Sequence, residues 1–174
     1  MRMAIMGAGS LGTIIGALLT KNGYETDLID SNVQHVEALN KSGAKIIGLM
    51  DLVQPVKALT PDQMTGEYDL YFYLVKSTQH DQALQHVVKH LKPDGVVLAM
   101  QNGIPENAVA AVVGKERTAG CIVGWGATWM EPGVSKLTST PDHMSYDVGE
   151  MDGKDTARVN EIVKILSAAG IPEK

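Results

Sequence analysis

The sequence predicts an α/β fold: a doubly wound, mostly parallel sheet with an antiparallel extension near the C-terminus. Three observations support it. Short apolar runs alternate with segments of helical periodicity from residue 3 to about residue 113, an order typical of parallel sheets with helices on both faces. A glycine-rich turn joins the first apolar run to the first helical segment. After Arg117 the sequence changes to short strand-like runs separated by turn residues.

The strands of the parallel part are predicted from short apolar runs. They are residues 3–6, 26–29, 45–50, 52–56, 70–75 and 96–100. The fifth run is almost wholly apolar, which indicates a strand buried on both faces.

The helices are predicted from apolar spacing and capping residues. The first carries Leu11, Ile14, Ile15, Leu18 and Leu19 on one face. Ser31 and Gln34 form a capping box for a helix ending near Ser42, and residues 60–63, with a proline at the first helical position, repeat that signature. Later helices are predicted at residues 83–91, before a turn at 93–95, and at 105–113 and 159–166.

The antiparallel extension is predicted from the last strand-like runs, residues 121–130, 134–138 and 144–148. Residues 131–134, Glu-Pro-Gly-Val, suit a type II turn. Cys121 is the single cysteine, which excludes a disulfide within the chain. A reactive thiol is one interpretation. We favour a small buried strand residue, because two apolar residues follow it.

Composition limits the function classes. With 174 residues we expect one domain over residues 1–174. A net charge of −5 without a basic run argues against nucleic acid or an anionic membrane as the main partner. No apolar stretch reaches the roughly 18 residues of a membrane span, and no cleavable signal pattern is present. We therefore expect a protein of the reducing cytoplasm.

The turn after the first strand is Gly7-Ala8-Gly9-Ser10-Leu11-Gly12, a G-x-G-x-x-G motif between a strand and a helix. In this position Gly7 permits a tight turn, Gly9 lets a pyrophosphate approach the backbone, and Gly12 lets the helix pack close to the strand. The helix N-terminus offers unpaired N–H groups to the phosphates. A tight turn without a ligand is the alternative, but the context favours a bound dinucleotide.

Polar residues follow three further strands at the edge where such sheets bind ligands. Asp30 lies 23 residues after Gly7, where a carboxylate accepts hydrogen bonds from the adenosine ribose and repels a 2′-phosphate. A turn aspartate is the alternative. Lys76 follows a buried strand and is either a ligand contact or a surface lysine. Asn102 precedes Gly103 and, taken alone, is more typical of a turn.

The histidines give weaker signals. His86 and His90 are four residues apart on one helix, as in some metal pairs, but no third ligand is evident and we expect a solvated face. His80 lies one turn after Lys76 and could line the site.

These residues together resemble the N-terminal domain of ketopantoate reductases (2-dehydropantoate 2-reductases) over essentially the whole chain. The glycine loop is shared with many dehydrogenases. More specific are Lys76-Ser77-Thr78-Gln79, which matches the family's K-x-x-Q, and Gln101-Asn102-Gly103, which matches its Q-N-G. Pro132-Gly133 and Val148-Gly149-Glu150 also fall where the family has its turn and its G-E pattern.

The resemblance implies a Rossmann-type fold and NADPH-dependent reduction of a small-molecule 2-keto acid. By position, Lys76 and Gln79 would contact the cofactor, and the strand around Trp129 would border it. Asn102 would lie between the nicotinamide ribose and the substrate, as the catalytic candidate of this chain.

Two departures qualify this expectation. Asp30 stands where the family typically has an arginine for the 2′-phosphate, so NAD and NADP both stay open. The family's helical C-terminal domain, which supplies the proton-donating lysine, would begin near Lys174. We therefore expect the helical C-terminal domain to be absent and the chain alone to be inactive, needing that missing domain or a homo-oligomer. The rival hypothesis is a stand-alone nucleotide-sensing module without redox activity.

Overall fold

The computed structural model describes residues 1–100 and 105–170. Within them, strands β1 to β11 are, in chain order, Arg2–Met6, Glu25–Ile29, Ala44–Gly48, Leu52–Gln54, Lys57–Leu59, Tyr68–Tyr73, Leu91–Ala99, Thr118–Val123, Ala127–Glu131, Val134–Leu137 and Tyr146–Glu150. Helices α1 to α5 are Ser10–Lys21, Val33–Ser42, His80–Lys89, Pro105–Val113 and Ala157–Ala168. Short 3₁₀ turns lie at Pro61–Gln63, Ser77–Gln79, Lys115–Arg117 and Pro141–His143.

The larger sheet confirms the predicted fold class. Over the described ranges it has seven strands in the order β11-β8-β7-β6-β1-β2-β5. Every neighbouring pair is parallel except β11 with β8, which forms the predicted antiparallel extension. The short strand β5 was not predicted, because three residues beginning with a lysine carry little apolar signal.

Helices cover both faces of this sheet, as a doubly wound fold requires. Alternate residues of β1 serve the two faces: Met3 and Ile5 join the core with α1, α2 and α5, whereas Ala4 and Met6 join the core with α3 and α4. Because β1 is buried on both faces, its sequence is continuously apolar rather than alternating.

A smaller sheet packs beside α1. Among the described residues its order is β4-β3-β10-β9, with β10 parallel to β3 and antiparallel to β9. Gly133 has φ +80°, as the predicted type II turn between β9 and β10 requires. The two last predicted strands each have an antiparallel partner but belong to different sheets, β10 to the small one and β11 to the large one.

The predicted cap of α2 is wrong by one residue. Asn32, not Ser31, is the N-cap, and its Oδ1 accepts the N–H of His35 at 3.1 Å. The N–H of Asn32 is in turn held by Asp30 Oδ1 at 2.9 Å. The aspartate therefore sets the turn that places the cap.

Helix α3 ends earlier than predicted. The carbonyl of His90 accepts the N–H of Tyr68, so the chain joins the sheet at Leu91 instead of continuing as a helix. Val88, in the last turn of α3, is exposed. The predicted turn at residues 93–95 lies inside β7, where the pairing with β6 is irregular.

Cys121 is buried in β8, as predicted, and burial raises the pKa of its thiol to about 12. A thiol of so high a pKa carries almost no thiolate near neutral pH, so it is a packing residue. No helix within the described residues is both long and apolar enough to cross a membrane.

Glu150, the acidic residue of the G-E pattern, joins α5 to the sheet. Its carboxylate accepts hydrogen bonds from Arg158 Nε at 2.6 Å and from Thr156 Oγ1 at 2.7 Å. Arg158 also donates to the carbonyl groups of Glu116 and Thr118. The Arg158 guanidinium holds the pKa of the Glu150 carboxyl below its usual value. Glu150 is therefore a structural residue in this fold.

We predict that Glu150→Gln destabilises the protein by about 1–3 kcal/mol near neutral pH, because it removes a charged hydrogen bond. A lowered folded-state pKa means that this stabilisation is present above the unfolded pKa of about 4.3 and is lost as pH falls through the folded value. Urea unfolding should thus show wild type and variant converging in acid. The exposed Asp152, paired with Lys154, provides the control: Asp152→Asn should change stability little. An equal gap between wild type and Glu150→Gln at every pH would contradict the prediction.

Candidate functional site

The carboxyl ends of four parallel strands meet at one edge of the larger sheet. Met6 of β1 is level with Ile29 of β2 and Tyr73 of β6, and Tyr73 is level with Ala99 of β7. The glycine loop crosses this edge. The N–H groups of Gly7 and Ala8 both donate to the carbonyl of Ile29, at 2.9 and 3.0 Å. The loop is thereby fixed between β1 and β2.

Each glycine of the loop meets a different physical demand. Gly7 has φ +97°, and a Cβ there would lie 2.9 Å from the Leu74 carbonyl carbon. A Cβ at Gly12 would lie 2.5 Å from the Gly7 carbonyl oxygen and 2.9 Å from Ile5 Cγ2, so α1 packs directly on β1. A Cβ at Gly9 would meet nothing within 4 Å. Gly9 therefore borders open space, where a ligand can approach the backbone.

The start of α1 is arranged to receive an anion. Over the described ranges, no acceptor is found for the N–H groups of Gly9, Ser10, Leu11 and Gly12. The first turn of α1 contains no acidic residue, and Gly9 as N-cap contributes no side chain. Free amides and the helix dipole favour a phosphate. The space and the donors fit the pyrophosphate of a dinucleotide.

Every helix start leaves its first four N–H groups unpaired, and the carbonyl of Ala8 bears on the last of these amides, that of Gly12. It accepts a hydrogen bond from Thr13 Oγ1 at 3.0 Å and one from His35 Nε2 at 2.6 Å. The first turn of α1 is closed by the N–H of Thr13 on the carbonyl of Gly9, and within the described residues the N–H of Gly12 makes no bond to Ala8, as it would if the helix began one residue earlier. Two side chains thus occupy the acceptor that a helix one residue longer would use.

His35 was missed in the sequence because nothing in its spacing distinguishes it. It is 1% exposed. The N–H of Gly133 donates to His35 Nδ1 at 2.9 Å, so Nδ1 carries no proton and Nε2 carries the proton given to Ala8. The imidazole is therefore neutral, in one tautomer, and links the glycine loop to the β9–β10 turn.

Trp129 lies beside the glycine loop. It pairs with Ser135 across β9 and β10, and Ser135 Oγ donates to the carbonyl of Ser10 at 2.7 Å. The Trp129 ring meets the His35 ring edge-on, with centroids 6.3 Å apart, yet remains 43% exposed. A half-exposed aromatic surface next to the glycine loop is available to a ligand.

Asp30 lies at the same edge. It follows Ile29 directly, and its own N–H donates to the carbonyl of Leu59 on the neighbouring strand. Oδ1 of Asp30 is engaged by the N–H of Asn32. The half-buried carboxylate is thus oriented, and its second oxygen makes no hydrogen bond to another described residue.

Lys76 and Gln79 occupy an exposed 3₁₀ turn after β6. The N–H of Gln79 donates to the carbonyl of Lys76 at 2.9 Å. The turn lies close to the loop, because Leu74 and Val75 contact the Gly7 backbone. Asn102, with Gln101 and Gly103, lies outside the described residues. The structure therefore brings residues 7–12, Asp30, Lys76, Gln79 and Trp129 to one edge and is silent on Asn102.

The remaining histidines belong to no metal-binding group among the described residues. In residues 1–100 and 105–170, no group of three His, Cys, Asp or Glu side chains is placed to hold a metal ion. The expected solvated face is wrong for His90, which is buried with Nδ1 2.8 Å from the Gly66 carbonyl. His80 Nδ1 lies within hydrogen-bond distance, 2.9 Å, of the Tyr73 hydroxyl.

The chain matches a known protein family and proteins of named activity. The family described as Ketopantoate reductase PanE/ApbA matches residues 3–153. The chain is 38% identical over 135 residues to the 2-dehydropantoate 2-reductase of Pyrococcus horikoshii, covering 77% of this chain and 43% of that protein. It is 28% identical over 170 residues to that of Archaeoglobus fulgidus, covering 98% and 54%. The chain spans about half the length of the curated relatives it matches.

Solved structures agree. The 2-dehydropantoate 2-reductase of Geobacter metallireducens superposes with a TM-score of 0.88 at 28% identity, over 100% of this chain and 57% of that one. D-mandelate dehydrogenase, solved with NADH and anilino(oxo)acetate, superposes with a TM-score of 0.89 at 24% identity, over 100% and 56%. The second likeness shows the fold alone.

We predict opposite outcomes for alanine at two glycines of the loop. Gly12→Ala should cost about 1–3 kcal/mol or more, because its Cβ meets backbone at 2.5 Å. Gly9→Ala should change stability by less than about 1 kcal/mol, since open space surrounds the site. Urea unfolding followed by circular dichroism measures both. Equal destabilisation by the two variants would show that α1 does not pack on β1 as described.

Proposed function

Because the chain belongs to the ketopantoate reductase family, we propose that residues 1–174 form the dinucleotide-binding domain of an oxidoreductase. The proposed reaction is the NAD(P)H-dependent reduction of a 2-keto acid, such as 2-dehydropantoate, to the 2-hydroxy acid. The observation that carries this proposal is the glycine loop, where open space at Gly9 meets the unpaired amides of α1.

The loop supplies the pyrophosphate site in this proposal. The amides from Gly9 to Gly12 donate to phosphate oxygens, and Ala8, Ser10 and Leu11 complete the backbone surface around them. The positive end of the α1 dipole adds to the attraction, and no acidic side chain in the first turn opposes it.

The residues beside the loop orient the rest of the cofactor. Asp30 accepts hydrogen bonds from the adenosine ribose, and Trp129 covers the phosphate region from the β9–β10 side. By their match to the family motifs, Lys76 and Gln79 contact the cofactor and Asn102 lies between the nicotinamide ribose and the substrate. A bound reduced nicotinamide supplies the hydride for the keto carbon.

Asp30 favours NADH over NADPH. Its carboxylate is fixed by the N–H of Asn32, at the end of the strand next to the glycine loop. A 2′-phosphate at this place meets a like charge and loses the ribose hydrogen bond. Both effects weaken the binding of NADPH relative to that of NADH.

We predict that Gly9→Val abolishes most dinucleotide binding while the domain stays folded. The valine side chain fills the open space that the pyrophosphate needs, so affinity for NADH and NADPH should fall at least about a hundredfold. Isothermal titration calorimetry measures the loss. Gly149→Val, at an equally open glycine of edge strand β11, is the matched control and should bind like wild type. Unchanged affinity in folded Gly9→Val would refute the proposed site.

We also predict that wild type binds NADH more tightly than NADPH by about 1–3 kcal/mol, a value typical of one charged hydrogen bond. Asp30→Asn should narrow this difference, mainly by improving NADPH binding. Glu25→Gln removes the same charge at the opposite end of β2 and should leave the ratio unchanged. Tighter binding of NADPH by wild type would mean that Asp30 does not face the ribose.

A further inference from the structure

We infer that His35 is a positioning residue for the pyrophosphate-binding loop, and that it acts by withholding the Ala8 carbonyl from helix α1. The inference rests on the proposed function, since it concerns the same loop. It adds a residue that touches no cofactor, lies outside the glycine motif and belongs to another helix, α2.

The first step concerns a longer form of helix α1, which the glycine loop does not adopt. In a regular helix, the N–H of Gly12 would donate to the carbonyl of Ala8, four residues earlier. That bond would extend α1 backwards by one residue and consume one of the four amides that have no acceptor among the described residues. A phosphate would then find three donors instead of four.

The second step is how His35 prevents this bond. The His35 ring lies under the loop, 1% exposed, and Nε2 reaches the Ala8 carbonyl at 2.6 Å. Thr13 Oγ1 donates to the same oxygen and lies 3.2 Å from Nε2. The two donors satisfy the buried carbonyl, so it gains nothing by turning toward Gly12.

The third step is how His35 itself is held. Its backbone N–H is bound by the Asn32 cap, and its Nδ1 accepts the N–H of Gly133 from the β9–β10 turn. Asn32 is held by Asp30, the proposed ribose ligand. The side chain is therefore fixed on both sides, in the only tautomer that can donate to Ala8.

The position of Trp129 depends on the same contact. Gly133 joins β9 to β10, and the Trp129 ring rests edge-on against the imidazole. Loss of the imidazole removes the hydrogen bond to Gly133 and the ring contact with Trp129 together. A change in Trp129 environment should accompany any loss of loop geometry.

The test compares three variants of the full chain. His35→Gln keeps one acceptor and one donor in a side chain of similar reach, and His35→Leu keeps only the apolar volume. Asn40→Leu is the control, because Asn40 also lies on α2 and makes two side-chain bonds to backbone, to Ala58 at 2.8 and 2.9 Å, away from the loop. Urea unfolding gives the stability of each. Calorimetry gives the dissociation constants of NADH and ADP, under conditions where each variant is folded.

We expect His35→Leu to raise the dissociation constants of NADH and ADP by the same factor, about tenfold or more, because both ligands carry the pyrophosphate. His35→Gln should bind NADH and ADP with affinities within about threefold of those of wild type. Asn40→Leu should lose stability but bind normally. In His35→Leu the tryptophan emission of the free protein should shift to longer wavelength, as Trp129 loses its neighbour.

Three results would overturn the inference. If folded His35→Leu binds NADH and ADP as tightly as wild type, His35 contributes to stability but not to the binding loop. A loss confined to NADH would place its effect at the nicotinamide end. If His35→Gln binds as weakly as His35→Leu, the geometry of the loop depends on the packing of the imidazole and not on its hydrogen bonds. If wild type itself binds neither NADH nor ADP, the proposed function fails instead, so the two failures are distinguishable.

Discussion

The close approach of helix α1 to strand β1 is the constraint on which the site depends. No Cβ fits between Gly12 and the carbonyl of Gly7, so the helix begins directly above the strand end. This places the amides from Gly9 to Gly12 over the sheet edge, where β1, β2, β6 and β7 end level with one another. Any larger separation would leave those amides in solvent and away from Asp30 and Lys76.

The small sheet makes this arrangement rigid. Ser135 binds the carbonyl of Ser10, and Gly133 binds His35, which in turn holds the carbonyl of Ala8. The side chains of Ser135 and His35 therefore join the glycine loop to the β9–β10 segment, which lies more than a hundred residues later in the chain. The preorganised loop does not have to be ordered by the ligand, which lowers the entropic cost of binding.

The parts of the fold and site that could be predicted are those encoded locally. The glycine loop follows from six consecutive residues, and the Glu131–Val134 turn from four, because each needs only its own backbone conformation. His35 could not be predicted, since its partner Gly133 lies 98 residues away. The end of α3 was missed for the same reason: pairing of Leu91 with Tyr68, a tertiary contact, overrides the helical periodicity.

The claim that the loop is a phosphate site can be tested directly at its amides. In ¹⁵N-labelled protein titrated with ADP, the amide resonances of Gly9, Ser10, Leu11 and Gly12 should shift more than all others and become protected from hydrogen exchange. Adenosine, which lacks phosphate, should leave them nearly unchanged. Large shifts elsewhere, with these four amides unaffected by saturating ADP, would contradict a phosphate-binding role for the loop.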